Sequence, residues 1–137
     1  RMVQKYGGMV DKYIGDAMMA IFNAPIDLDN HQDAAVKCAI EMREEMKRTF
    51  TQEVLIGIGV NTGYAVIGNM GSENRFDYTA IGDAVNVAAR LESGTKDAGV
   101  DLLIGQETQK GLSYPLTQVG KIAAKGKSKK LMVYTWE

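Results

Sequence analysis

Apolar and polar residues along the chain follow two periods, which predict short strands separated by two longer helices. Residues 54–60 have the clearest strand period, because every second residue there is branched and apolar. The residues of this face are Val54, Ile56, Ile58 and Val60. The turn signal Asn61-Thr62-Gly63 follows, so we expect residues 64–68 to return as an antiparallel partner.

The opposite face of this strand carries Gly57 and Gly59, which leave the backbone open to close approach. Two interpretations fit this face equally well. It either packs against a helix or contains a bulge, or it forms a surface for a ligand or a second subunit.

Two helices are predicted from apolar residues spaced three or four apart. The first begins after a capping residue, Asp29 or Asn30, and ends near Thr49; the second runs from Gly82 to about Glu92. Their core-facing residues are Ala35, Ala39, Met42 and Met46 in the first helix, and Ala84, Val87, Ala88 and Leu91 in the second. Off the first stripe we expect a solvated face, formed by Arg43, Glu44, Glu45 and Lys47.

The remaining elements are shorter. Residues 9–23 suit two strands joined by a tight turn at Gly15-Asp16, since both residue types tolerate positive φ. Further along, the pattern predicts an apolar strand at 100–105, one helical turn at 106–112, and two strands around a basic loop within 116–137. This order predicts an α+β fold, with helices covering one face of a mainly antiparallel sheet.

Length and charge limit the classes of protein that fit. A chain of 137 residues with 45% hydrophobic content suits one domain, 1–137, with a real core. Its 16 basic and 17 acidic residues argue against a nucleic-acid or membrane footprint, so an anion site would have to be local. The single Cys38 and the absence of a long apolar run lead us to expect a cytoplasmic setting. The opening residues read as a helix that ends at Gly7-Gly8, so we expect the chain to begin inside a domain.

Charged residues stand beside apolar sequence in two places. Asp11, Lys12 and Asp16 surround the bend of the first strand pair, directly before an apolar stretch. Asn86 and Arg90 lie one helical turn apart, on the side opposite the apolar stripe of the second helix. By themselves such patterns more often mark a turn, a surface lysine or a polar helix face.

Three separated motifs, "YIGDAMMAIF", "RFDYTAIGDAVNVAARLES" and "AKGKSKKLMVY", change this interpretation. Together they resemble the catalytic domain of class III nucleotide cyclases, in the expected order through nearly the whole chain but without the family's beginning. The resemblance implies a ferredoxin-like α+β fold. It also implies conversion of a nucleoside triphosphate to its 3',5'-cyclic monophosphate and pyrophosphate, with two divalent ions at a site shared between two domains.

For the metals, the resemblance implies Mg²⁺ or Mn²⁺, two ions per site, with Asp16 matching the second metal aspartate. Hard cations prefer such oxygen ligands. The family's first metal aspartate lies in a motif that would precede Arg1. We therefore expect this stretch alone to bind metal weakly and to turn over little or nothing.

For the base, Lys12 and Thr79 match the family's purine-recognition pair, with threonine in place of the more common aspartate, as in the subgroup with bicarbonate-responsive cyclases. Lysine only donates hydrogen bonds and the threonine hydroxyl can accept one, which suits the adenine edge. A guanylyl cyclase would more often have Glu at the position of Lys12.

For the phosphates, Asn86 and Arg90 match the family's transition-state pair, where Asn positions the ribose and Arg meets the phosphoryl oxygens. Lys125, and after it Lys127, matches a lysine for the β- and γ-phosphates. Arg75 lies near a looser basic position, where ion pairing to Asp77 or Glu73 competes. The resemblance gives His31 and Cys38 no catalytic role.

The predicted substrate is ATP, and the predicted assembly is a homodimer whose two sites each draw on both subunits, with the glycine face of the strand against a neighbouring surface. The alternatives are a guanylyl cyclase and a non-catalytic cyclase-homology module that binds nucleotide or only dimerises. We expect no nucleic-acid partner and no direct membrane contact.

Overall fold

The computed structural model describes residues 2–14, 17–24, 27–49, 57–70, 77–123 and 130–136, with backbone only at 14, 67–70, 77–81 and 123. The elements in chain order are α1 (Met2–Lys5), β1 (Met9–Ile14), β2 (Ala17–Ile21), α2 (His31–Thr49), β3 (Ile58–Val60), β4 (Val66–Met70), β5 (Asp77–Ile81), α3 (Asp83–Ala98), β6 (Leu102–Gly105), α4 (Gln106–Lys110), β7 (Thr117–Ala123) and β8 (Lys130–Thr135).

Eight described strands form one sheet of four and two hairpins. The larger sheet has the order β3-β6-β8-β7, and only its β3–β6 pair is parallel. β1 pairs with β2 and β4 with β5, both antiparallel. The predicted α+β class with a mainly antiparallel sheet is therefore confirmed, as are the strand pair around Gly15-Asp16 and the strands around the basic loop; the turn and that loop lie outside the described residues.

Two apolar clusters show where the long helices pack. Leu102 and Ile104 of β6 contact Val36 and Ala39 of α2, whereas Leu103, between them, contacts α3. Successive side chains of a strand point to opposite faces. The prediction that helices cover one face is therefore corrected for this sheet: α2 and α3 cover opposite faces, which explains why β6 is buried along its whole length.

The glycine face of β3 packs against α3 within the same chain. A Cβ on Gly59 would meet the Ala88 carbonyl oxygen and the Glu92 backbone nitrogen, and a Cβ on Gly57 would meet Thr95. The packed-helix interpretation is therefore correct, and the expectation of a neighbouring subunit surface on this face was wrong. The absence of side chains lets the helix axis approach the strand closely.

Two predictions between the helices were wrong. The described part of β4 pairs with β5, and β3 pairs with β6, so the expected β3–β4 antiparallel pair does not form. No element was predicted for residues 78–81, which together with Asp77 form β5. The helix α3 also continues past Glu92 and ends at Gly99, whose φ of 73° is the left-handed conformation typical of a helix stop.

Arg43 is buried rather than solvated, with 6% of its surface exposed. Its Nη1 donates to the carbonyl oxygen of Trp136 at 2.6 Å and to Asp101 Oδ1 at 3.2 Å. Its Nε faces Glu44 Oε1 at 3.4 Å. The buried stripe of α2 consequently runs through Val36, Ala39 and Arg43, because the long arginine stem packs as an apolar group while its head reaches a carbonyl past the end of β8.

We predict that Arg43→Met lowers the free energy of unfolding by about 2–3 kcal/mol, because Asp101 and the Trp136 carbonyl lose a partly buried charged partner. Urea denaturation measures the loss. The matched control is Arg48→Met on the same helix, whose exposed pair with Glu45 should contribute less than about 1 kcal/mol. Equal losses in the two variants would show that Arg43 is not a structural tie.

We predict that Gly59→Ala lowers the free energy of unfolding by about 1–3 kcal/mol, because the new methyl group would overlap the backbone of α3. Gly94→Ala, in α3 itself, is the control, because a Cβ on Gly94 would meet Leu103 Cδ1 at an ordinary 3.6 Å. Since alanine favours the helix, this variant should be neutral or up to about 1 kcal/mol more stable. Thermal unfolding of both variants decides between a tight and a loose α3–β3 contact.

Candidate active site

Lys12 lies beside a β-bulge in β1. The β1–β2 register shifts between Val10 and Lys12, so Asp11 is the extra residue. The Asp11 side chain is 2% exposed and the Lys12 side chain 46% exposed, with Nζ and Oδ2 4.0 Å apart. A bulge redirects neighbouring side chains, and here it buries a carboxylate while it presents an ammonium group. The Asp11 carboxylate is therefore a structural charge rather than a solvated one.

Thr79 lies in the middle of β5, opposite Gly68 of β4. β1 lies against β5, so the strands that carry Lys12 and Thr79 are neighbours. The direction of the Thr79 side chain is outside the described part of the chain. The adjacency of the two strands is what the predicted purine pair requires of the backbone.

The helix α3 follows β5 with a single residue between them, Gly82. The φ of Gly82 is 151°, which side-chain-bearing residues rarely adopt. The backbone N–H of Asn86 donates to the Gly82 carbonyl oxygen at 3.2 Å. This connection places the first turn of α3 directly beyond the end of β5. The predicted base-binding strand and the predicted phosphate-binding helix are thus consecutive and closely joined.

Asn86 and Arg90 are both exposed on α3, while Val87 and Leu91 on the opposite side are buried. This arrangement confirms the faces predicted from helical spacing. An exposed guanidinium one turn from an exposed amide can bind phosphate and ribose oxygens from one direction. Both side chains therefore lie on the outer face of α3.

Asp16, Arg75, Lys125 and Lys127 lie outside the described residues. Their predicted roles therefore stay predictions. Among the residues that the structure does describe, no group of three or more His, Cys, Asp and Glu side chains could hold a metal ion. The metal site stays a prediction, because its main candidate ligand, Asp16, is not among the described residues.

A cavity of about 930 Å³ lies elsewhere, between α2, α3 and the end of β8. Its charged lining residues are three cations and three carboxylates, namely Arg43, Lys47, Lys96, Glu44, Glu92 and Asp101. This balance offers no net attraction to a triphosphate. Neither Lys12, Asn86 nor Arg90 lines the cavity.

Cys38 is buried within α2, and burial raises the pKa of its thiol to about 11. Its Sγ lies 3.7 Å from the carbonyl oxygen of Met2 and 3.8 Å from the sulfur of Met42. A thiol with so high a pKa stays protonated at neutral pH and is a poor nucleophile. These surroundings agree with the expectation that Cys38 has no catalytic role.

Sequence reasoning treated Asn61 only as part of a turn. In the structure its Nδ2 donates to the carbonyl oxygen of Ala84, in the first turn of α3, at 3.0 Å. The signal in the sequence was a side-chain amide directly after a strand and close to two glycines, where the backbone can approach another element. Sequence alone did not reveal which element that was.

The chain is similar to known nucleotide cyclases in sequence and in structure. The family model for the adenylate and guanylate cyclase catalytic domain matches residues 1–137. An adenylate cyclase of Anabaena cylindrica is 35% identical over 98% of the chain, which spans 29% of that protein. The adenylyl cyclase CyaB from P. aeruginosa has a TM-score of 0.83 at 36% identity, over 97% of this chain and 73% of that one. The guanylyl cyclase Cya2 has a TM-score of 0.85 at 27% identity, over 97% and 71%.

None of the described helices is both long enough and apolar enough to cross a bilayer.

Proposed function

Because the chain belongs to the family of adenylate and guanylate cyclase catalytic domains, we propose that it acts as an adenylyl cyclase. The reaction converts ATP to 3',5'-cyclic AMP and pyrophosphate by in-line attack of the ribose 3'-hydroxyl on the α-phosphorus. The proposed sites lie where two copies of the chain meet.

Selection of adenine rests on Lys12 and Thr79. The Lys12 ammonium group would donate to adenine N1, and the Thr79 hydroxyl would accept from the N6 amino group. The observation that carries the proposal is the exposed Lys12 on a strand that lies against β5. Guanine presents a donor at N1, which an ammonium group opposes.

Asn86 and Arg90 would act on the ribose and the phosphates. The Asn86 amide would orient the ribose so that its 3'-hydroxyl faces the α-phosphorus, while the Arg90 guanidinium would stabilise the charge that grows on the phosphoryl oxygens. Lys125, or Lys127 in its place, would neutralise the departing pyrophosphate, and Arg75 is a further candidate for a phosphate contact.

Divalent ions fit the proposed donor set, since carboxylates such as Asp16 are the ligands that Mg²⁺ and Mn²⁺ prefer. Bound there, two ions would make the 3'-hydroxyl nucleophilic and hold the triphosphate. Asp16 is the ligand that this chain would supply.

Exposed apolar side chains beside Lys12 support a dimer. Tyr13 is 73% exposed and faces Met18, its partner across the β1–β2 hairpin, which is 37% exposed. Tyr64 and Val66, before and in β4, are also exposed. A second copy would cover such residues and enclose Lys12 and the bend at Asp16.

The test is a product assay on the full-length protein with Mn²⁺ and either ATP or GTP. We predict cyclic AMP from ATP and far less cyclic GMP, with product from ATP reduced by about 10²- to 10³-fold in Arg90→Ala, which removes transition-state stabilisation. Lys96→Ala, further along the same helix, is the matched control and should retain activity. Cyclic GMP as the main product would favour the guanylyl cyclase, and no product from either nucleotide would favour the non-catalytic module.

Sharing of the sites between subunits predicts complementation. In the proposed dimer each site takes Lys12 from one subunit and Asp16 from the other, so Lys12→Ala and Asp16→Ala chains should each be inactive alone. Their co-expression should restore about a quarter of the wild-type cyclic AMP production, because half the dimers are mixed and each mixed dimer has one intact site. Two copies of the same variant, co-expressed, provide the baseline. Recovery no greater than that baseline would contradict the shared site.

A further inference from the structure

We infer that Asn61 is a positioning residue for the reaction proposed above: its side-chain amide holds the first turn of α3 against the end of β3 and thereby fixes Asn86 relative to the substrate. The inference rests on the proposed function, since it concerns how a residue of that site is held. Asn61 itself would touch neither the nucleotide nor a metal.

The hydrogen bond from Asn61 Nδ2 to the Ala84 carbonyl oxygen joins two elements at the end where the site lies. Ala84 is the second residue of α3, and Asn86 follows two residues later. Gly82, at the N-cap position, makes no side-chain capping bond to this turn. The Asn61 amide is a donor, so it does not cap the N–H groups of the helix start; it ties this turn to the end of β3 through the Ala84 carbonyl oxygen.

The neighbours of Asn61 hold its amide in this direction. A Cβ on Gly105, at the end of β6, would meet the Asn61 Oδ1, and a Cβ on Gly63 would meet the Ala84 Cβ. The next residue, Thr62, shares a hydrogen bond of 2.7 Å with the fully buried Thr108 of α4. The turn after β3 is thus packed between α3, α4 and β6, which leaves the amide little freedom to turn away.

A second contact between β3 and α3 attaches the helix independently of Asn61. Lower on the helix, the close approach at Gly59 holds Ala88, Leu91 and Glu92 against β3. The helix would stay attached without the Asn61 bond, but its first turn would be free to shift. Asn86 lies in that turn, and a small displacement of an orienting group is enough to cost catalysis.

The experiment compares Asn61→Asp, which keeps the side-chain shape but replaces the donor with an oxygen facing the Ala84 carbonyl, with Thr62→Val. The valine variant removes the neighbouring bond to Thr108, so it perturbs the same turn without touching α3. Asn61→Ala is the second variant, in case the repulsion in Asn61→Asp prevents folding. Melting temperature, kcat and KM for ATP are measured on the full-length protein.

We expect Asn61→Asp to lower kcat by about 10- to 100-fold with KM for ATP changed less than about threefold, and Thr62→Val to keep kcat within about twofold at a similar loss of melting temperature. In an Asn86→Ala background, Asn61→Asp should lower kcat by less than about twofold further, because the residue that it positions is already gone.

A wild-type kcat in Asn61→Asp and Asn61→Ala, or a full additional loss in the Asn86→Ala background, would overturn the role of Asn61 while the cyclase reaction stands. A wild-type protein that forms no cyclic product would overturn the proposed function, and the role of Asn61 with it. The two failures are therefore distinguishable in one set of assays.

Discussion

The close approach of α3 to β3 is the contact on which the arrangement of the candidate site depends. Gly57 and Gly59 leave one face of the strand bare, and the helix backbone comes within reach of it. The face that α3 turns inward is therefore fixed by Leu91 and its neighbours, and the face that it turns outward carries Asn86 and Arg90. A protein interior that is packed this tightly transmits a change in one element to the next. The position of the candidate residues on the outer face thus depends on an inner contact between a strand without side chains and the helix.

The two faces of the sheet have different tasks. On one face, α2 completes the core and its buried Arg43 ties the end of β8 to the residue before β6. On the other, α3 carries the groups proposed to act on the nucleotide. The large cavity is lined by residues of both helices and by balanced charge, whereas Lys12, Asn86 and Arg90 do not line it and lie at the surface of the chain.

Local patterns in the sequence predicted the helices, the β1–β2 and β7–β8 strand pairs and the exposed faces of Asn86 and Arg90, because each depends on spacing within a short stretch of chain. The pairing of strands that lie far apart in the sequence could not be predicted from local patterns. The turn signal at Asn61-Thr62-Gly63 suggested a β3–β4 hairpin, but β3 pairs with β6, more than forty residues away. β5 was overlooked because its short run follows a polar stretch. Arg43 was misplaced because a helical period counts an arginine as polar and ignores its apolar stem. The motifs suggested roles for the candidate residues, which spacing alone left ambiguous, and the proposal of Asp16 as a metal ligand rests on the motif alone.

The bulge at Asp11 separates the residue proposed to contact the base from a carboxylate that is buried in the fold. Asp11 faces inward and belongs to the scaffold, while Lys12, the very next residue, is half-exposed and pairs with Asp11 at 4.0 Å. Exchange of the half-exposed Lys12 would disturb the fold only through its ion pair with Asp11, so under the role proposed for Lys12 the preference for one purine over the other could change while the architecture stays constant. Descent and nucleotide preference would then follow different histories, and a tree built from whole sequences of such domains would sort scaffolds rather than substrates.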